Sequence, residues 1–99
     1  MIEYIDINGV KHPFLFSIRA AREIDNAGKI GDIDTALLMG WLGLKYGYQA
    51  DKKEIGFTQD EFESWVDLKP EILGDISKIV IEQSGKLGEK MGNLTAPKV

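Results

Sequence analysis

Residues 33–46 place large apolar side chains on two sides of what reads as a single helix, and few folds accommodate that. Ile33, Leu37, Leu38, Met39, Trp41, Leu42, Leu44 and Tyr46 fall within one run. At about 100° per residue, Ile33, Leu37, Trp41 and Leu44 share one stripe. Leu38, Met39, Leu42 and Tyr46 share a second, roughly opposite. A helix apolar nearly all round is either buried centrally or has a partner on its second face. Gly40 and Gly43 lie between the stripes, where small residues let another backbone approach closely. Asp32 or Asp34 is expected to cap this helix and Gly47 to stop it. What covers the two stripes is the question the rest of the chain must answer.

Ahead of that helix the sequence writes a hairpin. Asn8-Gly9 separates Ile2, Tyr4, Ile5 and Ile7 from Val10 to Phe16. Asn-Gly between two β-prone runs signals a type I′ turn, which needs positive φ at both central residues. Pro13 cannot donate to a ladder, so the second strand is expected to be an edge there or to bend. Phe14 and Phe16 share a face by the period-two rule and are expected in the core.

Ser17 stands at an N-cap position for a helix from Ile18 to about Ala27. Ala20, Ile24 and Ala27 would line its inner side, with Arg19, Arg22 and Glu23 in solvent, and Gly28 would end it. After the long second helix, Tyr48 to Gly56 reads as a surface loop. Thr58-Gln59-Asp60-Glu61 is a capping box, and Phe57 with Phe62 forms the matching hydrophobic staple. The third helix buries Phe62, Trp65 and Val66 and ends near Asp67. Pro70 pre-sets φ for the start of a fourth helix, with Ile72, Leu73, Ile76, Ile79, Val80 and Leu87 on one face, Met91 close by and Ile81 opposite. Gly85 and Gly88 each weaken its last turns by about 1 kcal/mol relative to Ala, so fraying is expected beyond Ser84. The expected organisation is one α+β domain over residues 1–91, an N-terminal β-hairpin packed on a bundle of about four helices, followed by a disordered tail at 92–99.

Composition narrows the chemistry. The 99 residues carry 12 basic against 16 acidic side chains, a net charge of −4, which argues against a phosphate-backbone binder. No cysteine occurs, so disulfides, thiol nucleophiles and Cys-based metal sites are excluded. The opening Met1-Ile2-Glu3-Tyr4 does not read as a secretory signal, and no apolar run approaches the ~20 residues of a membrane span. A cytoplasmic protein without nucleic-acid or membrane partners is expected.

Few constellations suggest catalysis. His12, the single histidine, stands beside Pro13 with no serine or cysteine motif, and a strand-surface position is the expected role. Asp60, Glu61, Glu63 and Asp67 would need to converge in a cleft to bind a metal or act as an acid/base pair. Beside a capping box their simpler role is to compensate the helix dipole. Counting a calcium loop from Asp51 puts Lys53, Ile55 and Phe62 at ligand positions, which defeats it. No glycine-rich phosphate loop or nucleophile elbow can be written. The chain is expected not to be an enzyme and to need no cofactor, catalytic residue or metal ligand. The stripe of Leu38, Met39, Leu42 and Tyr46 remains as a candidate partner-binding surface, with Leu38 shared with the core. In the alternative arrangement, the hairpin covers one stripe and the third and fourth helices the other.

The order of elements resembles one family. The strand–Asn8-Gly9–strand opening, Phe14-Leu15-Phe16 leading into Ala20-Ala21-Arg22-Glu23-Ile24, and the closure at Gly28 resemble the start of a phage tail assembly chaperone. Leu37-Leu38-Met39-Gly40-Trp41-Leu42-Gly43-Leu44 is similar to that family's leucine-rich second helix. Thr58-Gln59-Asp60-Glu61-Phe62 with Trp65 and Asp67 is similar to its short capped third helix. The resemblance spans Ile5 to Ser84 and departs from the pattern at Tyr46 to Gly56. It implies a non-catalytic protein of the bacterial host cytoplasm that binds the tape measure protein of a tailed phage or prophage. Such a protein keeps the tape measure soluble, promotes polymerisation of the tail tube protein around it, and is absent from the finished virion. In many relatives a frameshift adds a second domain to a minority of copies. Other classes left open are a different small structural or connector protein of a phage, an acidic DNA-mimic-like binding module, and a self-associating chain.

Overall fold

The structure, a computed structural model, describes residues 2–28 and 30–95, with side chains described as far as residue 86. Strands β1 (Glu3–Ile7) and β2 (Val10–Phe14) form an antiparallel hairpin in which Ile7 pairs with Val10 and Glu3 with Phe14. Asn8 and Gly9 have φ of 55° and 82°, the two positive values the turn requires. The Asp6 carboxylate accepts the Gly9 N–H at 2.9 Å and holds the turn closed. With a two-residue loop, Ile7–Val10, Ile5–His12 and Glu3–Phe14 are the hydrogen-bonded pairs. Pro13 faces Tyr4 at a position between them, so its missing N–H costs the ladder nothing.

Four helices follow among the described residues: α1 (Ile18–Asn26), α2 (Asp32–Ala50), α3 (Gln59–Leu68) and α4 (Glu71–Thr95). The architecture is the expected α+β one. The Ser17 hydroxyl accepts the Ala20 N–H at 3.2 Å. The capping box forms in both directions, Thr58 Oγ1 accepting from the Glu61 N–H and Glu61 Oε1 from the Thr58 N–H. Gly28 leaves α1 with a φ of 76°. The core joins Ile5, Ile7, Phe14 and Phe16 from the hairpin and its exit to Ala20, Leu42, Leu44, Phe62, Val66, Ile72, Ile76 and Val80.

Three glycines of α2 set the packing. A Cβ on Gly43 would overlap the Phe14 ring, and one on Gly47 would run into the Pro13 carbonyl and the Phe14 backbone. One on Gly40 would stand 2.7 Å from the Phe62 ring and 2.9 Å from Ile76 Cδ1. The strip between the two apolar stripes is therefore the line along which β2 docks, and the Leu15 N–H donates to the Gly43 carbonyl at 2.9 Å. Full burial of a Phe-sized side chain here stabilises by roughly 1.5–3 kcal/mol, and the missing side chains make it attainable. The third and fourth helices cover one stripe as in the arrangement above, joined by the Phe57 loop at the side of Gly40 and Trp41, but the other stripe is met by α1, the hairpin docking between the two.

Other departures have local causes. Gly47 does not stop α2 but sits buried inside it, because close approach rather than chain reversal is its task. Neither Asp32 nor Asp34 caps α2; Gly31 is the N-cap, and both acids lie in the first turn, where the helix dipole favours them. Ala27 is exposed at the end of α1, one residue past its last turn. Helix α4 continues past Ser84 to Thr95, the helix-forming Lys86, Leu87, Glu89, Lys90 and Met91 offsetting the glycines among them. It thereby takes in residues 92–95, placed by the sequence in a disordered tail; the rest of that tail, 96–99, lies outside the described residues.

Gln83 is buried on α4 and works as a clamp. Its Oε1 accepts the Phe16 N–H at 2.6 Å, and its Nε2 donates to the Phe14 carbonyl at 3.2 Å. The exit of β2 thus finds its hydrogen bonds on a side chain rather than on a third strand.

Three substitutions test this packing by urea denaturation. Gly47→Ala should destabilise by about 3 kcal/mol or more, since the obstacle is backbone, whereas Gly74→Ala, open to solvent within α4, should stabilise by about 0.5–1 kcal/mol. Gln83→Leu, which removes both partners of the β2 exit, should cost at least about 2 kcal/mol.

Candidate functional site

The four residues singled out as a partner surface do not form one open patch. Leu42 is only 2% exposed and belongs to the core, because α1 packs along that side of α2; a contact role for it in the folded chain is corrected. Tyr46, one turn on, is half-buried and donates its hydroxyl to the Glu23 carboxylate. That bond, with some desolvation, raises the Tyr46 pKa above the usual phenol value. Glu23 is accordingly half-buried rather than free in solvent. Leu38 and Met39 are half-buried at the edge of the core.

The apolar surface that does remain open lies at the other end of the same helix. From Ile30 to Met39 no residue is buried, although Ile30, Ile33, Leu37, Leu38 and Met39 are apolar. Ile33 is 72% exposed and Ile30 38%. The cause is geometric: the covered half of α2 begins at Gly40, the first glycine against which another element docks. The signal was present in the sequence, since Ile33 precedes the first of the close-approach glycines by nearly two turns. The structure thus separates the predicted set, leaving Leu38 and Met39 half-buried at the edge of the core and taking Leu42 into it and Tyr46 into the contact with Glu23.

His12 is not a strand-surface residue. It is buried, with Nδ1 2.6 Å from the Tyr48 hydroxyl and its ring among those of Tyr48, Phe57 and Trp65. Its position pairs it with Ile5, whose side chain points into the core, so alternation already placed it inward. Desolvation lowers its pKa below the ordinary histidine value, and the Asp6 charge opposes that only in part. Burial also raises the Tyr48 pKa, which keeps the phenol protonated. The pair is a neutral hydrogen bond inside an aromatic cluster. Proton transfer to a substrate would need access that this burial denies.

The acidic side chains of α3 do not converge. Asp60, Glu61 and Asp67 are exposed, Glu61 is held in the capping box, and Glu63 accepts from Gln59 at 3.4 Å. No group of three or more metal-ligating side chains is present among the described residues. Asp51 instead receives the Tyr4 hydroxyl at 3.2 Å and pairs with Lys53 at 3.2 Å, tying the loop after α2 to β1. A shallow groove of about 290 Å³ runs between β1 and α4, lined by Tyr4, Ile5, Asp6, Asp75, Lys78, Ile79 and Glu82. No helix among the described residues is long and apolar enough to cross a membrane.

The buried histidine makes stability depend on pH in a definite direction. Because its folded pKa lies below the unfolded value of 6.5, the unfolded chain takes up the proton first as pH falls. The contribution is complete above 6.5 and is lost as pH drops toward the folded pKa. Urea unfolding at pH 7.5 and 5.5 should show the loss in the native chain and a flatter response in His12→Asn. An equally flat native chain would contradict the burial of this ring.

Comparison of the chain with protein-family models, with curated proteins and with solved structures finds no match.

Proposed function

We propose that this chain is a non-catalytic tail assembly chaperone of a tailed phage or prophage. It binds the long helical tape measure protein, keeps it soluble, and promotes polymerisation of the tail tube protein around it in the host cytoplasm. The observation that carries the reading is the open apolar end of α2, where Ile33 is 72% and Ile30 38% exposed and Leu37, on the stripe of Ile33, is half-buried. A tape measure protein exposes apolar helical seams until the tube encloses it, and reversible coverage needs an apolar surface of modest size. The order of hairpin, short helix, leucine-rich helix and capped third helix supports the same reading. A net charge of −4 favours solubility of the resulting complex.

The contact set within this proposal is Ile30 and Ile33, the two exposed apolar residues, with the half-buried Leu37 beside them on the stripe of Ile33. Co-expression with the tape measure protein of the same tail gene cluster tests it. The long protein should become soluble and co-purify with this chain. Ile33→Asp should weaken capture roughly tenfold or more, a loss of about 1.4 kcal/mol, with the thermal unfolding of the domain unchanged. Ile30→Asp, checked by circular dichroism for folding, should act in the same direction. A tape measure protein equally insoluble with and without this chain would remove the proposal.

A further inference from the structure

The hairpin has two outer edges, and they are treated differently. The outer edge of β2 is closed: the Pro13 carbonyl lies against Gly47, and the Leu15 N–H reaches the Gly43 carbonyl. The outer edge of β1 is open. In the observed register the N–H and C=O groups of Tyr4 and Asp6 point away from β2. Among the described residues no backbone group outside the hairpin bonds to them. Both residues are exposed, and the edge borders the groove between β1 and α4.

We propose that the β1 edge takes an extended, lysine- or arginine-bearing segment of another protein as a third strand. Unpaired strand groups are a template for strand addition, in which backbone bonds give affinity and side-chain pockets give selectivity. The groove selects the chemistry. Its floor is apolar, formed by Ile5 and the half-buried Ile79. Its walls carry the carboxylates of Asp6, Asp75 and Glu82 against the single ammonium of Lys78. At the rim Glu3 and Lys86, 4.0 Å apart, balance one another. A segment alternating apolar and basic residues would set the first on the floor and the second against the walls. The same carboxylates oppose a second copy of this chain, whose β1 would bring Glu3 and Asp6 against their own kind. A volume of about 290 Å³ is at the bottom of the range for small-molecule sites, and a strand lying along an open edge needs no enclosure. This surface is separate from the apolar end of α2, so the inference stands apart from the chaperone reading.

The test uses the full chain labelled with ¹⁵N and a seven-residue synthetic peptide alternating valine and lysine. At saturation, hydrogen exchange at the Tyr4 and Asp6 amides should slow at least about tenfold, with shift changes spreading to Asp75 and Ile79. The same peptide with glutamate for lysine should not bind, and neither should one N-methylated at alternate residues. Asp75→Lys with Glu82→Lys, both exposed positions, should weaken binding roughly tenfold or more without moving the unfolding midpoint. Unchanged exchange at Tyr4 and Asp6 would overturn the proposal. Equal binding of the N-methylated peptide would reduce it to charge attraction and overturn strand addition. Protection that grows with protein concentration in the absence of peptide would assign the edge to a second copy instead.

Discussion

The ring of Phe14 fills the space in which a side chain at Gly43 would stand, and the Pro13 carbonyl does the same at Gly47. This close seating of β2 on α2 is the contact on which the other elements depend. A two-stranded hairpin is at best marginally stable alone, and a helix carrying apolar residues on two sides cannot remain solvated. Each supplies the surface the other lacks. With Gly43 and Gly47 occupied by β2 and Gly40 by Phe62 and Ile76, α1 packs on one flank of α2 and α3 and α4 on the other. Pro13 fits this arrangement, since at its outward-facing position it leaves no N–H to be satisfied against the helix.

Most of the local structure was legible in the residues, and the reasons are short-range. Asn8-Gly9, Ser17, Gly28 and the Thr58–Glu61 box each act within a few residues, and each appears in the structure as its chemistry requires. What could not be read locally were positions whose role is set by a distant neighbour. Gly47 looks like a helix terminator until Pro13 is placed beside it. Glu23 looks like a solvent residue until Tyr46 reaches it across the α1–α2 contact. Gln83 falls on the buried stripe of Ile76 and Val80, at spacings of seven and three residues, so periodicity points to it. Its polarity conceals the fact that a strand end is waiting for both halves of an amide.

The same distinction governs the candidate site. Counting stripes on α2 located the apolar residues but not which half of the helix the other elements would reach. The boundary is Gly40: beyond it apolar residues are taken into packing, just before it Leu37, Leu38 and Met39 are half-buried, and Ile30 and Ile33 are left open. His12, the one side chain whose ordinary titration lies near neutral pH, spends its polarity on Tyr48 within an aromatic cluster. What the described residues leave open to a partner is surface: the apolar residues Ile30 and Ile33, and the β1 edge with its acidic neighbours.

The two bonds of Gln83 join residues 67 and 69 positions apart in sequence. On a ribosome, the hairpin and the helices through α3 are complete before this side chain emerges, and until then the end of β2 has no amide to close upon. Closure of so long a loop is entropically slow, and contacts of high sequence separation form late. Until Gln83 is made, the Phe16 N–H lacks this acceptor, while Phe14 can already seat against Gly43. For this molecule the two bonds that hold the exit of β2 wait on a single glutamine at the middle of its longest helix.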